Sequence, residues 1–302
     1  MLMKRVHWSQ LGLGLVALVF SALAFANPER WQLNMTTGVT DTSAEVYHLH
    51  MITLWICVVI GILVFGAMAV AMFKFRKSKG AKAATWSHNT TAEIIWTVIP
   101  ILILIAVAWP ATKTMFRMED VTGSEMTVKI TGYQWMWRYE IVSYKGQPGG
   151  VNFVSRIDRG SDAARQQSAV NSPNEVVDAE GNNVYLLDVD RPLVLPTDTK
   201  VRFIITADDV IHSWWVPAFG WKQDAIPGVV NENWTRINEP GVYRGQCAEL
   251  CGKDHGFMPI VVKAVPPSEF ESWLAAEQAS GAEATRVAQI DPATAPAAAA
   301  KL

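Results

Sequence analysis

Three apolar runs open the chain, and then the pattern changes. The first, LGLGLVALVFSALAF, follows Lys4 and Arg5 and ends at Ala24-Phe25-Ala26. A basic start, a short apolar stretch and a small-x-small end mark an export signal cut before Asn27. The alternative is an extra membrane helix that stays attached. Residues 1–26 are set apart from the fold on either reading. The second run, His48 to Phe73, contains no Asp, Glu, Lys or Arg. The third, Ile94 to Thr112, carries Pro100 and Pro110, which membrane helices tolerate. Both are long enough to cross a hydrocarbon core about 30 Å thick, and Trp86, Trp96 and Trp109 suit its interfaces. The pattern predicts a two-helix transmembrane hairpin within residues 27–115.

The loop between the spans, KFRKSKGAKAATWSHNTT, holds Lys74, Arg76, Lys77, Lys79 and Lys82 and no acid. The positive-inside rule puts it in the cytoplasm and both outer segments across the membrane. The export signal points the same way. The N-terminus and the C-terminal domain are expected across the membrane from the cytoplasm.

From residue 116 to 278 the period falls to two. Met126, Val128 and Ile130 alternate with polar residues, as do Trp135, Trp137, Tyr139 and Ile141, and Val201, Phe203 and Ile205. VIHSWWVP, NWTRIN, GVYRGQC and MPIVVKAV read as further short strands between Gly, Pro, Asn and Asp. Such a series predicts an all-β sandwich or barrel. Residues 146–183 are polar with little periodicity and read as a surface insertion between strands. SEFESWLAAEQAS predicts a short helix capped by Ser268, with Glu271 three residues on. The Ala-rich tail, 279–302, reads as disordered.

Composition adds little. Half of the 302 residues are hydrophobic and the net charge is −2, so no basic footprint for nucleic acid shows.

The chemistry is concentrated in GQCAELCGKDHGFMPIVV, Gly245 to Val262. Cys247, Cys251, His255 and Met258 follow one another closely, and His212 lies upstream in DDVIHSWWVP. Thiolate, imidazole and thioether are the ligands copper prefers. One thiolate, two imidazoles and a weak thioether would make a one-copper site. A second thiolate allows two sulfurs to bridge two ions, with a backbone carbonyl of the loop as the remaining weak ligand. Three other readings compete. A Cys247–Cys251 disulfide suits an oxidising compartment but leaves His212, His255 and Met258 unexplained. Structural zinc has no use for Met258. The third is a pair of buried free thiols. Cys57, alone in the first span, reads as packing, and His48 and His50 carry no metal assignment.

CAELCGKDHGFMPI, DDVIHSWWVP, WKQDAIPG, TGYQWMWRYE and EIIWTVIPILILI together resemble subunit II of bacterial cytochrome c oxidases, over about residues 40 to 275. The resemblance implies a cupredoxin-like Greek-key sandwich carrying a dinuclear, mixed-valence copper centre, CuA. Its ligands would be His212, Cys247, Cys251, His255, Met258 and the backbone carbonyl of Glu249. The Glu249 side chain would bind Mg2+ shared with subunit I. Trp135 would be the electron entry point and Glu93 a proton-uptake carboxylate at the cytoplasmic side. Alternation alone puts Trp135 and Trp137 on one strand face and does not choose between them. Where the family often has His, this chain has Tyr133. A basic cytochrome c would dock on acids near the metal, Asp208, Asp209, Asp224 and Glu249.

The implied activity is a proton-translocating oxidase subunit. It would take electrons from cytochrome c and pass them to haem in subunit I, where O2 is reduced to water, with subunit III as a further partner. The spans show no haem-ligand pair, so the chain alone would be inactive. A quinol oxidase subunit would lack the copper ligands, and nitrous oxide reductase would lack the spans. A fused cytochrome would show C-x-x-C-H, which this chain lacks. A copper-delivery protein would need exposed, exchangeable ligands.

Overall fold

The structure is a computed structural model that describes residues 33–82, 84–167, 176–178 and 181–290. The expected signal at 1–26 and residues 291–302 of the tail lie outside these. Two long helices come first, α1 (Asp41–Lys74) and α2 (Thr90–Glu119). Both are long and apolar enough, by length and composition, to cross a membrane. Their large apolar side chains face outward along most of their length, as expected where lipid or a neighbouring subunit replaces water.

Each helix starts where a polar side chain satisfies free backbone N–H groups. Thr40 Oγ1 accepts from Ser43 N (3.0 Å), and Ser43 Oγ accepts in return from Thr40 N (2.9 Å). This box starts α1 ahead of the uncharged run. Asn89 Oδ1 accepts from Ala92 N (3.1 Å) at the start of α2. Pro100 and Pro110 both sit inside α2. The lysine-rich connection contains a single turn of 3-10 helix, Lys77–Lys79.

The remaining chain forms a two-sheet sandwich. The strands are β1 (Met126–Tyr133), β2 (Met136–Tyr144), β3 (Gln147–Ser155), β4 (Leu193–Pro196), β5 (Val201–Ala207), β6 (His212–Val216), β7 (Trp221–Ala225), β8 (Asn231–Thr235), β9 (Gly241–Cys247) and β10 (Pro259–Val265). One sheet has the order β3-β2-β1-β5-β8 and the other β4-β10-β9-β6-β7. The chain crosses between sheets at five of the nine strand connections, and among the named strands β1–β5 and β4–β10 pair in parallel. Inward residues of both sheets meet in one core. Trp214 stacks on Phe203 and Trp221, with ring centroids 5.5 and 5.3 Å apart. The expected sandwich is present.

The hairpin is tied into the sandwich at both ends. Thr40 Oγ1 donates to Phe219 O (2.9 Å), and Val39 N to Ala218 O (3.0 Å). At the exit of α2, Trp234 Nε1 donates to Arg117 O (2.8 Å), and Lys200 Nζ to Asp120 O (2.7 Å).

Four expectations need correction. Residues 147–155 are not irregular insertion but strand β3, paired antiparallel with β2. Val151, Phe153 and Ser155 point inward; the Gln-Pro-Gly-Gly start conceals this alternation. Gly149 is needed there, because a Cβ would lie 2.1 Å from Ile141 O. The rest of the insertion contains a helix, α3 (Arg159–Gln166), capped by Asp158. Trp135 is not on a strand: it lies in the turn between β1 and β2. The last helix, α4 (Pro267–Ile290), continues past Gly281 into the expected disordered tail. Ser268 does not cap it; Pro266 O accepts from Glu269 N and Phe270 N, both at 3.0 Å. Phe270 and Leu274 bury α4 against the core.

The aromatic stack sets the cost of damage. Phe203→Ala should destabilise the sandwich by about 3–5 kcal/mol, measured by denaturant unfolding. A loss below about 1 kcal/mol would show that the stack is not the core.

Candidate metal centre

The order of the second sheet brings the candidate ligands together. β9 lies between β10 and β6. Cys247 ends β9 opposite Trp214 of β6, and His212 begins β6. The loop from β9 to β10 carries Cys251, a single 3-10 turn over His255–Phe257, and Met258. All the candidate ligands therefore lie at one end of adjacent strands.

The sulfurs of Cys247 and Cys251 are 3.8 Å apart, and both thiols are free and buried. A disulfide would bring them to about 2.05 Å. Around the two sulfurs the other donors divide into two groups. Cys247 Sγ has His212 Nδ1 at 3.9 Å and Glu249 O at 3.4 Å. Cys251 Sγ has His255 Nδ1 at 3.5 Å and Met258 Sδ at 3.5 Å. Metal–thiolate bonds are about 2.3 Å, so one ion can touch both sulfurs. His212, Cys247 and Cys251 form a compact group able to hold a metal. The two soft sulfurs, two imidazoles and a thioether fit copper.

The surroundings hold the donors in place. Asp209 Oδ1 lies 2.9 Å from His212 Nε2, which leaves Nδ1 directed at Cys247. The edge of Trp137 packs on the His212 ring at 5.9 Å. Gly132 lies against it, and a Cβ there would fall 2.8 Å from the imidazole. On the other side of the site, Gln134 Nε2 and Trp135 Nε1 both donate to Cys251 O, at 2.8 and 3.3 Å. Trp137 Nε1 donates to Met258 O at 3.4 Å.

The protonation balance follows from these contacts. Burial works against charge on His212, but Cys247 and Asp209 outweigh it and raise its pKa. Burial likewise works against the Cys247 thiolate, but His212 and the N–H groups around it lower its pKa. Cys251 is pushed up to about 12, by burial first and then by its neighbour Cys247. Asp209 resists its own burial through His212 and the Gln134 and Val210 N–H groups, which hold it below the usual carboxylate range.

Family comparison decides the class. A model described as "Cytochrome C oxidase subunit II, transmembrane domain" matches residues 28–114, and one described as "Cytochrome C oxidase subunit II, periplasmic domain" matches residues 126–265. The chain belongs to the cytochrome c oxidase subunit II family. It is similar to the "Probable cytochrome c oxidase subunit 2" of Rickettsia conorii, 36% identical over 275 residues, covering 90% of this chain and 81% of that one. The Rickettsia bellii protein of the same name is 38% identical over 265 residues, covering 87% and 91%. The crystal structure of the periplasmic domain of subunit II of cytochrome oxidase from Bradyrhizobium japonicum is 36% identical. It covers 53% of this chain and 99% of that one, with a TM-score of 0.42. The family is copper-binding, and this chain is a membrane subunit that pairs with other oxidase subunits.

The remaining family positions spread over the molecule. Trp135 is partly exposed above Cys251, whereas Trp137 is buried. Asp208 is exposed and accepts from the Tyr133 hydroxyl, while Asp209 is committed to His212 and to Gln134 N (2.7 Å). Asp224, on β7, is half-buried, and the Glu249 side chain is exposed. Glu93 is in the first turn of α2, 3.7 Å from His88, roughly 40 Å of helix from the sandwich. Sequence patterning missed Gly132, Gln134 and the inward role of Asp209. The DDVIH spacing of three between Asp209 and His212 was the available signal.

Asp209→Ala frees the His212 ring. It should weaken metal binding about 10- to 100-fold, measured by competition with a chelator. Unchanged affinity would mean that Asp209 does not orient the ligand.

Proposed function

We propose that this chain is the electron-entry subunit of a cytochrome c oxidase. It accepts single electrons from cytochrome c at a dinuclear copper centre of the CuA kind and passes them to haem in subunit I, where O2 is reduced to water with proton pumping. One observation carries this reading: two buried, unbonded sulfurs 3.8 Å apart, each with its own imidazole, at 3.9 and 3.5 Å. A mononuclear site needs only one of these sulfurs, and a zinc site has no use for the Met258 thioether beside Cys251.

His212, Cys247, Cys251, His255, Met258 and the carbonyl of Glu249 would hold the copper. When bound, such a centre supplies one-electron storage with the change of charge shared over two ions. The protein's part is to keep its donors still. His212 is fixed by Asp209, Trp137 and Gly132, and the Cys251 carbonyl by Gln134 and Trp135. Donors set in place before the electron arrives rearrange little when it does.

Trp135 supplies the way in. Its ring is partly exposed, and its indole N–H reaches the backbone of Cys251 directly, so a short bonded route leads from the surface to a ligand. Asp208, Asp224 and Glu249, with part of Asp209, form the acidic side that a basic cytochrome c would meet, an attraction that speeds encounter and weakens with salt. Glu249 would also give its exposed carboxylate to Mg2+ at the contact with subunit I. Glu93 would serve proton uptake at the cytoplasmic end, and subunit III would complete the assembly. The lysine-rich loop faces the cytoplasm and the sandwich the periplasm.

The full-length chain in its assembled oxidase should hold two coppers in this site, with one unpaired spin shared by both nuclei in electron paramagnetic resonance. A single-copper signal, or zinc, would refute the reading. Met258→Leu should keep both coppers but shift the potential; loss of all copper would show that Met258 is not a weak ligand that only tunes the centre. Trp135→Phe should slow oxidation of cytochrome c and leave the copper spectrum unchanged. Turnover equal to the parent would exclude Trp135 as the entry point.

A further inference from the structure

The insertion returns to the metal loop. Its neck is closed by Arg156 N to Asp190 Oδ1 (2.8 Å), Asp190 N to Arg156 O (2.9 Å) and Asp158 N to Asp188 O (3.0 Å). Within it, α3 is seated by the buried Ser161, whose hydroxyl accepts from Leu186 N at 3.3 Å. This seating directs Arg165 at the ligand loop. Arg165 Nη1 lies 3.7 Å from Asp254 Oδ1, and its guanidinium lies over the Phe257 ring, 4.4 Å from the centroid. Arg165 Nε donates to Asp162 Oδ1 at 2.7 Å, so the fork is held from behind.

Asp254 immediately precedes His255, and Phe257 immediately precedes Met258. Arg165 thus grips the single helical turn that presents both donors of the Cys251 side. A second tie reaches the other arm of the loop. Arg244, on β9 shortly before Cys247, lies 3.3 Å from Asp178 and 3.9 Å from Asp188. The Asp178 carboxylate is only 8% exposed. The insertion therefore touches the strand that leads into the ligand loop and the turn near its end.

We propose that Arg165 is a positioning residue for the metal centre, and that the insertion is a brace that holds the His255–Met258 turn in its ligating shape before and during electron transfer. The proposal rests on the metal-centre reading above. One exposed ion pair contributes little. Arg165 combines a carboxylate contact with a guanidinium placed over an aromatic ring and is only 24% exposed, conditions under which an arginine is not replaceable by a lysine. A loop ordered in advance loses less freedom when metal binds. A loosened one lets His255 swing away and release the ion sooner.

The test uses the full-length chain in its assembled oxidase, as parent, Arg165→Ala, Arg165→Lys and Asp254→Asn. Copper loss to excess bathocuproine disulfonate under reducing conditions is timed. In copper-depleted samples, hydrogen exchange is followed over residues 252–258. Arg165→Ala should lose copper roughly 3- to 10-fold faster and exchange faster across the turn, while thermal unfolding of the sandwich stays at the parent value. Arg165→Lys, which keeps the charge but not the planar guanidinium, should fall between. Asp254→Asn should accelerate copper loss without the aromatic contact being touched. Release and exchange within twofold of the parent in all three variants would overturn the brace. A parent without a two-copper centre would instead refute the functional reading, and the exchange comparison in metal-free protein would still decide the role of Arg165.

Discussion

The site depends on keeping two thiols close and unbonded. At 3.8 Å the sulfurs are in contact but far from a covalent link. In an oxidising space, neighbouring thiols tend to pair. The architecture opposes this by anchoring the two cysteines differently. Cys247 is the last residue of a central strand, fixed by its ladder to β6. Cys251 is held through its carbonyl by Gln134 and Trp135 of the turn between β1 and β2. Moving either sulfur toward the other would strain a strand end or break two hydrogen bonds. The same anchors set each imidazole against its own sulfur.

The membrane hairpin and the sandwich are joined by bonds at both helix ends. Thr40 is at once the cap of α1 and a donor to the carbonyl of Phe219. Phe219 in turn packs on Trp214, the residue opposite Cys247. Packing is thus continuous from the membrane surface to the metal loop. This would suit the proposed transfer of an electron toward a partner embedded in the bilayer.

Much of this was legible in the chain itself. The two uncharged runs and the lysine-rich loop define the hairpin, because lipid leaves few alternatives for such segments. Alternation at Met126–Ile130 and Val201–Ile205 marks β1 and β5, whose inward residues are fully buried. The candidate donor set stood out because Cys247, Cys251, His255 and Met258 lie within twelve residues. Other features were hidden for physical reasons. Strand β3 begins with Gln-Pro-Gly-Gly, which reads as a turn until its pairing with β2 is seen. Trp135 continues the alternation of β2, yet lies in the turn before it, a distinction periodicity does not contain. The reach of Arg165 to Asp254 spans most of a domain in sequence, and no local pattern encodes such a contact. Asp209 looks like a surface acid until the fold turns it onto His212.

X-ray absorption at the copper edge of the assembled, oxidised protein tests the central claim most directly. Two coppers bridged by Cys247 and Cys251 predict a copper–copper scattering shell beside short copper–sulfur and copper–nitrogen shells. A spectrum with no copper–copper shell, or a protein in which the two cysteines are joined to each other, would contradict the account.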